Sequence, residues 1–467
     1  MILLGSAQCS TSPRAELMVF VDTDAHLLGE LAAHPEVSPD AVIDSLRIDV
    51  LDASNDVYNT NLFLVADSAS WPVSFGVAAG ATPTSEVRLR IRGFRARFAR
   101  PGTVNGASTL DPFPEVTIDR LVWAPLPASG TSRTEVVLST DCLGILPSFA
   151  SPQTTCVDAT HGQSSPAEGL DSLAGDTVPA TRAGTWSPAV EVPCVTAVVQ
   201  GRVCVPGGFS VLGDYDAVGG PNETPDQEPI PLHPAVVSAF LLDRDEFTVG
   251  RARQLVLSGA LAESLLGPST PGDPLDQYCT WLGPQDPSND QEPLNCISSE
   301  TALLACQLSG GTLPSESQWL HEARGRGEGR HYPWGNDEPL CCTVSASRGA
   351  AFNASPECAG SGVEPVESHL PSASCGGLGD RSKDGAVDMA GSVTELLLDD
   401  FASYAAPCWG EGILHDPVCQ TQGTGAFHTS HGGSWSGTLS GTLSAQRGYG
   451  VTGPDFGFRC AYPDASP

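Results

Sequence analysis

Basic residues are scarce in this chain, with 23 Lys and Arg against 55 Asp and Glu and a formal charge of −32. A surface of that sign repels phosphate backbones and anionic lipid heads, so nucleic acid is not an expected partner. The acidity reads first as solubility and second as an affinity for calcium. Long apolar runs are also missing, and no stretch of about 18 apolar residues is available to form a membrane-spanning helix. Cys-x-x-Cys knuckles, a Ser/His/Asp signature, a phosphate-binding loop, an HExxH helix and internal repeats are absent too, which removes the common routes to zinc-ribbon, hydrolase and nucleotide chemistry.

What the chain does contain is 467 residues, 40% of them hydrophobic, enough for two or three cores. Its 15 cysteines, scattered rather than paired in knuckles, point to an oxidising compartment and structural bridges. The expected location is extracytoplasmic: secreted, periplasmic or surface lipoprotein. Residues 1–10, MILLGSAQCS, resemble the remnant of a signal or lipoprotein segment, with Cys9 as a possible lipid anchor; an ordinary buried N-terminus is the alternative.

Residues 14–156 read as short alternating segments between Gly, Pro, Asn and Asp clusters, the pattern of an all-β, Ig-like antiparallel sandwich. In the segment from Glu86, Val87, Leu89 and Ile91 alternate with Arg88, Arg90 and Arg92, and Gly93 marks a predicted bulge. The Arg row, continuing through Arg95, Arg97 and Arg100, has two readings: a surface for an anionic glycan or for the protein's own acidic C-terminal domain, or the solvated face of an edge strand. Cys142 and Cys156 bracket a loop and are expected to pair. Residues 157–193, rich in Ser, Pro, Gly, Ala and Thr, read as a flexible linker.

The last domain is expected over 194–463, opening with a hairpin closed by Cys194 and Cys204. Capping signals predict three short helices: one capped by Thr248 and ended by Gly259, one from about Ser299 to Leu308, and one opened by the Ser315/Gln318 capping box and ended by Gly325. Beyond Gly325, short strands and long loops are expected.

Four phrases recur in order within this domain: LLDRDEFTVG from Leu241, LPSESQWLHEARG through YPWGNDEP, DMAGSVTE from Asp388, and HGGSW at His431 closing with GFRC at Cys460. Together they resemble the formylglycine-generating enzymes, or sulfatase-modifying factors. The resemblance implies an α+β domain with little regular secondary structure, related to C-type lectins, that oxidises a substrate cysteine by means of a copper-holding cysteine pair. Counted from Ser434, the positions of that pair fall on Gly437 and Thr442, neither of them a thiol, and soft thiolates are what capture Cu(I). Copper is therefore not expected and no catalytic residue is assigned. Cys408 and Cys419, the nearest alternative thiols, read as a loop bridge.

The resemblance further implies a calcium site formed by the side chains of Asp388 and Glu395 with the carbonyls of Gly391 and Val393, all hard oxygen donors. It implies a bridge between Cys306 and Cys460. It also brings Trp435, Arg447 and Arg459 toward a ligand, the ring for stacking and the guanidiniums for a carboxylate; the alternative is internal packing and pairing. In the stretch that replaces a second family calcium site, Cys341, Cys342 and Cys358 are each expected to find a distant partner. The expected function is that of a pseudoenzyme, a calcium-stabilised binding or scaffolding module for a protein or glycan ligand at the cell surface. The competing expectation is an oxidoreductase that makes formylglycine or another oxygen-dependent product on a protein substrate.

Overall fold

The computed structural model describes residues 15–78, 86–172, 178–196, 199–216, 227–267, 274–339, 362–375, 377, 379–421, 427–437, 439–450 and 452–464. Cys9 and the rest of the 1–10 segment, with Cys341, Cys342 and Cys358, lie outside them. The chain divides into two compact units: residues 1–35 with 42–187, and residues 36–41 with 188–467.

The first unit is all β. One four-stranded sheet runs in the order Asp171–Ser172, Thr131–Leu138, Glu16–Thr23, Val73–Ala78; the other runs Thr117–Pro125, Glu86–Phe94, Ser45–Leu51, Val57–Leu64. Period-2 alternation buries Leu17, Val19 and Val21 on one strand and Leu89 and Ile91 on another, each side chain contributing about 1.5–3 kcal/mol of transfer free energy. The sheets are not wholly antiparallel, because Glu16–Thr23 runs parallel to Thr131–Leu138. Gly93 holds register with both Ile118 and Leu46, so the expected bulge is absent. Space is tight there: a Cβ would lie 3.2 Å from Leu138 Cδ1 of the facing sheet.

The Arg-bearing strand, expected at an edge, is instead interior to its sheet and paired with acids. Arg90 forks onto Asp119 at 2.9 and 2.5 Å, Arg92 Nη2 donates to Asp49 at 2.5 Å, and Arg47 Nε donates to the same Asp49 at 2.9 Å. Although burial alone would raise the Asp49 pKa, donation from Thr60 and the charges of Arg92 and Arg47 hold it below the usual carboxylate value. The sequence reading missed a hairpin, Ala99–Val104 with Ala107–Pro112. Its turn is Asn105-Gly106 at φ +50° and +79°, a pair favoured where both turn residues need positive φ.

The described parts of the stretch 157–193, read as linker, fall in both units. Trp123 N donates to Pro166 O at 2.7 Å, Glu168 N donates to Trp123 O at 2.8 Å, and Arg120 Nη2 reaches Glu168 at 2.5 Å. Around Pro166 and Glu168 a run poor in apolar residues thus pairs its backbone groups along the sheet.

Among the described residues the second unit holds three small sheets and three α-helices. Arg202–Val205, Phe240–Asp243 and Ala461–Pro463 form one sheet; Gly208–Leu212, His233–Val237 and Leu414–His415 form another. The third runs in the order Gly448–Gly450, His428–His431, Thr394–Asp400, Phe456–Gly457. Of the hairpin expected after Cys194, the Cys194–Cys204 bridge is present and residues 197 and 198 lie outside the described residues.

Helix α1 is Val249–Leu257, α2 is Ser299–Leu308 and α3 is Glu316–Ala323. Thr248 caps α1 by accepting from Arg251 N. Ser315 and Gln318 cap α3 reciprocally, and the chain leaves α3 through Gly325 at φ +69°. Trp319, Leu320 and Ala323 bury the inner face of α3 in a core with Leu212, Phe240 and Trp409. A second core stacks Phe247 on Phe458 with ring centroids 4.7 Å apart.

Five disulfides join described cysteines: Cys142–Cys156, Cys194–Cys204, Cys279–Cys296, Cys306–Cys460 and Cys408–Cys419. Cys375 is disulfide-bonded as well. Bridges in this number are typical of extracytoplasmic proteins. Among the described residues no helix is long and apolar enough to cross a membrane.

Candidate functional site

Helix α3 places two buried ion networks side by side. At its first turn Glu316, 0% exposed, accepts through Oε1 from Tyr404 Oη at 3.0 Å, His431 Nε2 at 2.9 Å and Arg447 Nε at 2.7 Å; Oε2 accepts from Arg447 Nη2 at 3.0 Å. Burial pushes the Glu316 carboxyl up, but Arg447 and His431 outweigh it and hold the pKa at about 2. One turn on, Trp319 Nε1 donates to Glu395 Oε2 at 2.8 Å while its ring stacks on His431 at 4.9 Å, joining the networks.

Glu395 is the centre of the second network. Arg459 Nε donates to both its oxygens at 2.9 and 2.8 Å, and Nη2 donates to Oε1 at 2.6 Å. The rest of that guanidinium donates to the carbonyls of Asp243, Arg244 and Val387. Arg459 is therefore an internal clamp on three chain segments. Arg447, 1% exposed, is equally committed, its guanidinium lying over the Tyr404 ring at 3.9 Å. Trp435 is 2% exposed, with its indole N–H on Pro454 O at 3.3 Å and its ring against Tyr278 at 4.9 Å. All three residues expected to face a ligand are thus inside the fold, because a buried guanidinium without a carboxylate is far costlier than one with it.

The HGGSW segment owes its shape to its glycines. Gly432 sits at φ +93°, where a Cβ would come within 2.7 Å of Met389 O, and Gly433 at φ +68°, where it would come within 2.7 Å of Gly441 O. Gly437 N donates to Ser434 O at 2.9 Å, and Thr442 is 1% exposed. Every described cysteine is bonded in a disulfide, Cys408 and Cys419 included.

The four calcium donors implied by the resemblance do not fit this geometry as a set. Asp388 Oδ2 accepts from Glu367 N at 2.6 Å, and both oxygens of Glu395 are taken by Arg459 and Trp319. Among the described residues no group of three or more His, Cys, Asp or Glu side chains converges in a metal-binding arrangement.

Two further buried carboxyls belong to this region and were not anticipated. Glu322 on α3 accepts from the Ser382 hydroxyl and from Asp384 N at 3.2 Å; burial first, and then the Asp384 charge, push its pKa to about 8. Burial and then Glu316 do the same for Asp399, also to about 8. Each group binds its proton more tightly folded than unfolded, so its contribution to stability is complete below the ordinary value near 4.5 or 3.8 and is lost as pH rises toward 8. Glu316 acts oppositely, its contribution being lost as pH falls from 4.5 toward 2. The urea midpoint of the second unit is expected to decline from pH 5 to pH 8.5, and Glu322→Gln to flatten part of that slope; a midpoint rising across this window would contradict the assignment.

The second unit is thus an α+β domain of short sheets and long, disulfide-braced loops around buried ion pairs. The sequence profile of the Sulfatase-modifying factor enzyme 1-like domain matches residues 190–463, and the chain belongs to that family. Among solved structures, PvdO from Pseudomonas aeruginosa matches with 19% identity and a TM-score of 0.42, over 56% of this chain and 93% of that one. Treponema denticola variable protein 1 matches with 18% identity and a TM-score of 0.39, over 56% and 94%. No curated protein matches the chain by sequence.

Proposed function

We propose that this family member binds rather than oxidises, acting as an exported binding or scaffolding module for a protein or glycan at the cell surface, with Cys9 as a lipid anchor. One observation carries the reading: glycine and a buried threonine occupy the positions that the resemblance assigns to the family's copper thiols, and the nearest alternatives, Cys408 and Cys419, are locked together earlier in the chain. A hydroxyl cannot replace a thiolate for Cu(I). The clamps around Glu316 and Glu395 account for the charged residues without assigning them to substrate.

Support for a contact surface comes from Phe427 and Tyr449, 48% and 46% exposed, whose rings lie 5.1 Å apart with Phe401 at 5.0 Å from Tyr449. Exposed aromatic clusters of this kind suit sugar faces and protein partners. Copper titration with oxygen-uptake measurements on a cysteine-bearing peptide tests the reading. Neither stoichiometric Cu(I) binding nor turnover is expected, and observing both would overturn it.

A further inference from the structure

The strand Val57–Leu64 ends one sheet of the first unit and carries no charged residue. From Val57 as far as Ser85 the sequence holds a single charge, Asp67, in a chain of net charge −32. Tyr58, Phe63 and Leu64 stand 59%, 36% and 80% exposed along this strand. Among the described residues its one strand neighbour is Ser45–Leu51. Exposed edges are ordinarily blunted by Lys, Pro, an inward charge or a bulge. Here the protection lies at the first residues, where Tyr58 is an extra residue in the ladder and its carbonyl accepts from Asn105 Nδ2 at 3.0 Å.

The backbone of the remaining residues defines what can cover them. Val65 N donates to Asp44 O at 2.8 Å while Ser45 stands opposite Leu64. In an antiparallel ladder that bond makes Ser45 and Leu64 a non-hydrogen-bonded pair, so the N–H and C=O of Leu64 face away from Ser45–Leu51. By the two-residue period Leu62 and Thr60 do the same, while Phe63 and Asn61 bond inward. Thr60, Leu62 and Leu64 therefore offer a row of outward donors and acceptors, which another strand completes. The row shows no charge to draw an acidic or basic segment, so the fitting occupant is itself an uncharged strand. A second copy brings one, and because each copy carries −32, the neutral edge is where two copies meet with least repulsion.

We infer that two copies of this chain pair antiparallel through Thr60–Leu64, about a two-fold axis at Leu62. The Tyr58 carbonyl already serves Asn105, which limits the pairing to that row, and Leu62 is its midpoint. Leu62 then faces Leu62 of the second copy, and Thr60 faces Leu64 of the second copy, the self-complementary arrangement of a closed dimer. A contact this short is weak, and salt strengthens it by screening the acidic surfaces.

The test is sedimentation equilibrium of the full chain in low and high salt, with circular dichroism to check the fold of each variant. Wild type is expected to dimerise as its concentration rises, and more tightly in high salt. Leu62→Glu and Leu62→Lys each set like charges directly opposite one another and are expected to weaken self-association at least about tenfold. An equimolar mixture of the two is expected to restore the dimer, because residue 62 meets its own counterpart across the axis. Should either variant fail to fold, Leu64→Pro removes an outward N–H without touching the inner ladder, and is expected to weaken the dimer at least about threefold. Wild type that stays monomeric at submillimolar concentration in high salt would overturn the inference. So would a dimer that these variants leave intact, or a mixture of folded Leu62 variants that stays monomeric.

Discussion

Arg459→Met will destabilise the second unit by about 3–5 kcal/mol, the range for stripping one partner from a buried ion pair. The guanidinium is 0% exposed, and its loss leaves Glu395 buried with only Trp319 as donor, while the carbonyls of Asp243, Arg244 and Val387 each lose one donor, Arg244 O keeping Val387 N. Because those carbonyls belong to segments far apart in the chain, the loss is not confined to one loop. Urea unfolding followed by near-UV circular dichroism measures it. Adding Glu395→Gln should recover part of the loss, since the uncompensated charge is the larger part of the penalty. A single-variant loss under about 1 kcal/mol would mean that Glu395 finds another cation.

Removing the Cys306–Cys460 bridge by replacing both cysteines with alanine is expected to cost about 3–5 kcal/mol. The bridge spans 154 residues and ties α2 to the strand that closes the unit, so it restricts the unfolded chain far more than Cys408–Cys419, which spans 11 and for which about 2–3 kcal/mol is expected. Thermal melts of the two double variants under non-reducing conditions compare them directly. Equal losses would show that packing around the sulfurs, and not loop closure, sets the stability.

How much was legible depended on whether the signal was local. Helices α1 and α3 were readable because Thr248, Ser315 and Gln318 act within four residues of themselves, and each cap closes in the structure. The Ala99–Pro112 hairpin carried a local signal, Asn105-Gly106, which was overlooked because the Arg-rich segment before it read as one continuous strand. The β character of the first unit followed from alternation, but the parallel pairing of its first and last long strands did not, since period-2 patterning fixes faces and not neighbours.

The ion networks were the least legible. An acid in the first turn of a helix ordinarily faces solvent and complements the helix dipole. Glu316 is buried instead, because His431 and Arg447 reach it from 115 and 131 residues away. Trp435 and the two arginines were placed in a site by motif alone, and only packing against Tyr278, Glu316 and Glu395 assigns them to the interior. The four family phrases marked the domain correctly because they encode these long-range pairs. They could not tell a fold-determining residue from one that touches a ligand.

The central claim is that the domain keeps the family's frame without the thiolate pair that would hold Cu(I). Copper titration of the unreduced full chain, before and after alkylation of accessible thiols, tests it most directly when oxygen uptake on a cysteine-bearing peptide is followed in parallel. The account predicts no copper held by thiolate ligands, no change on alkylation and oxygen consumption at the rate of buffer. One tightly held Cu(I) per chain, released by alkylation and accompanied by turnover of the peptide, would contradict it.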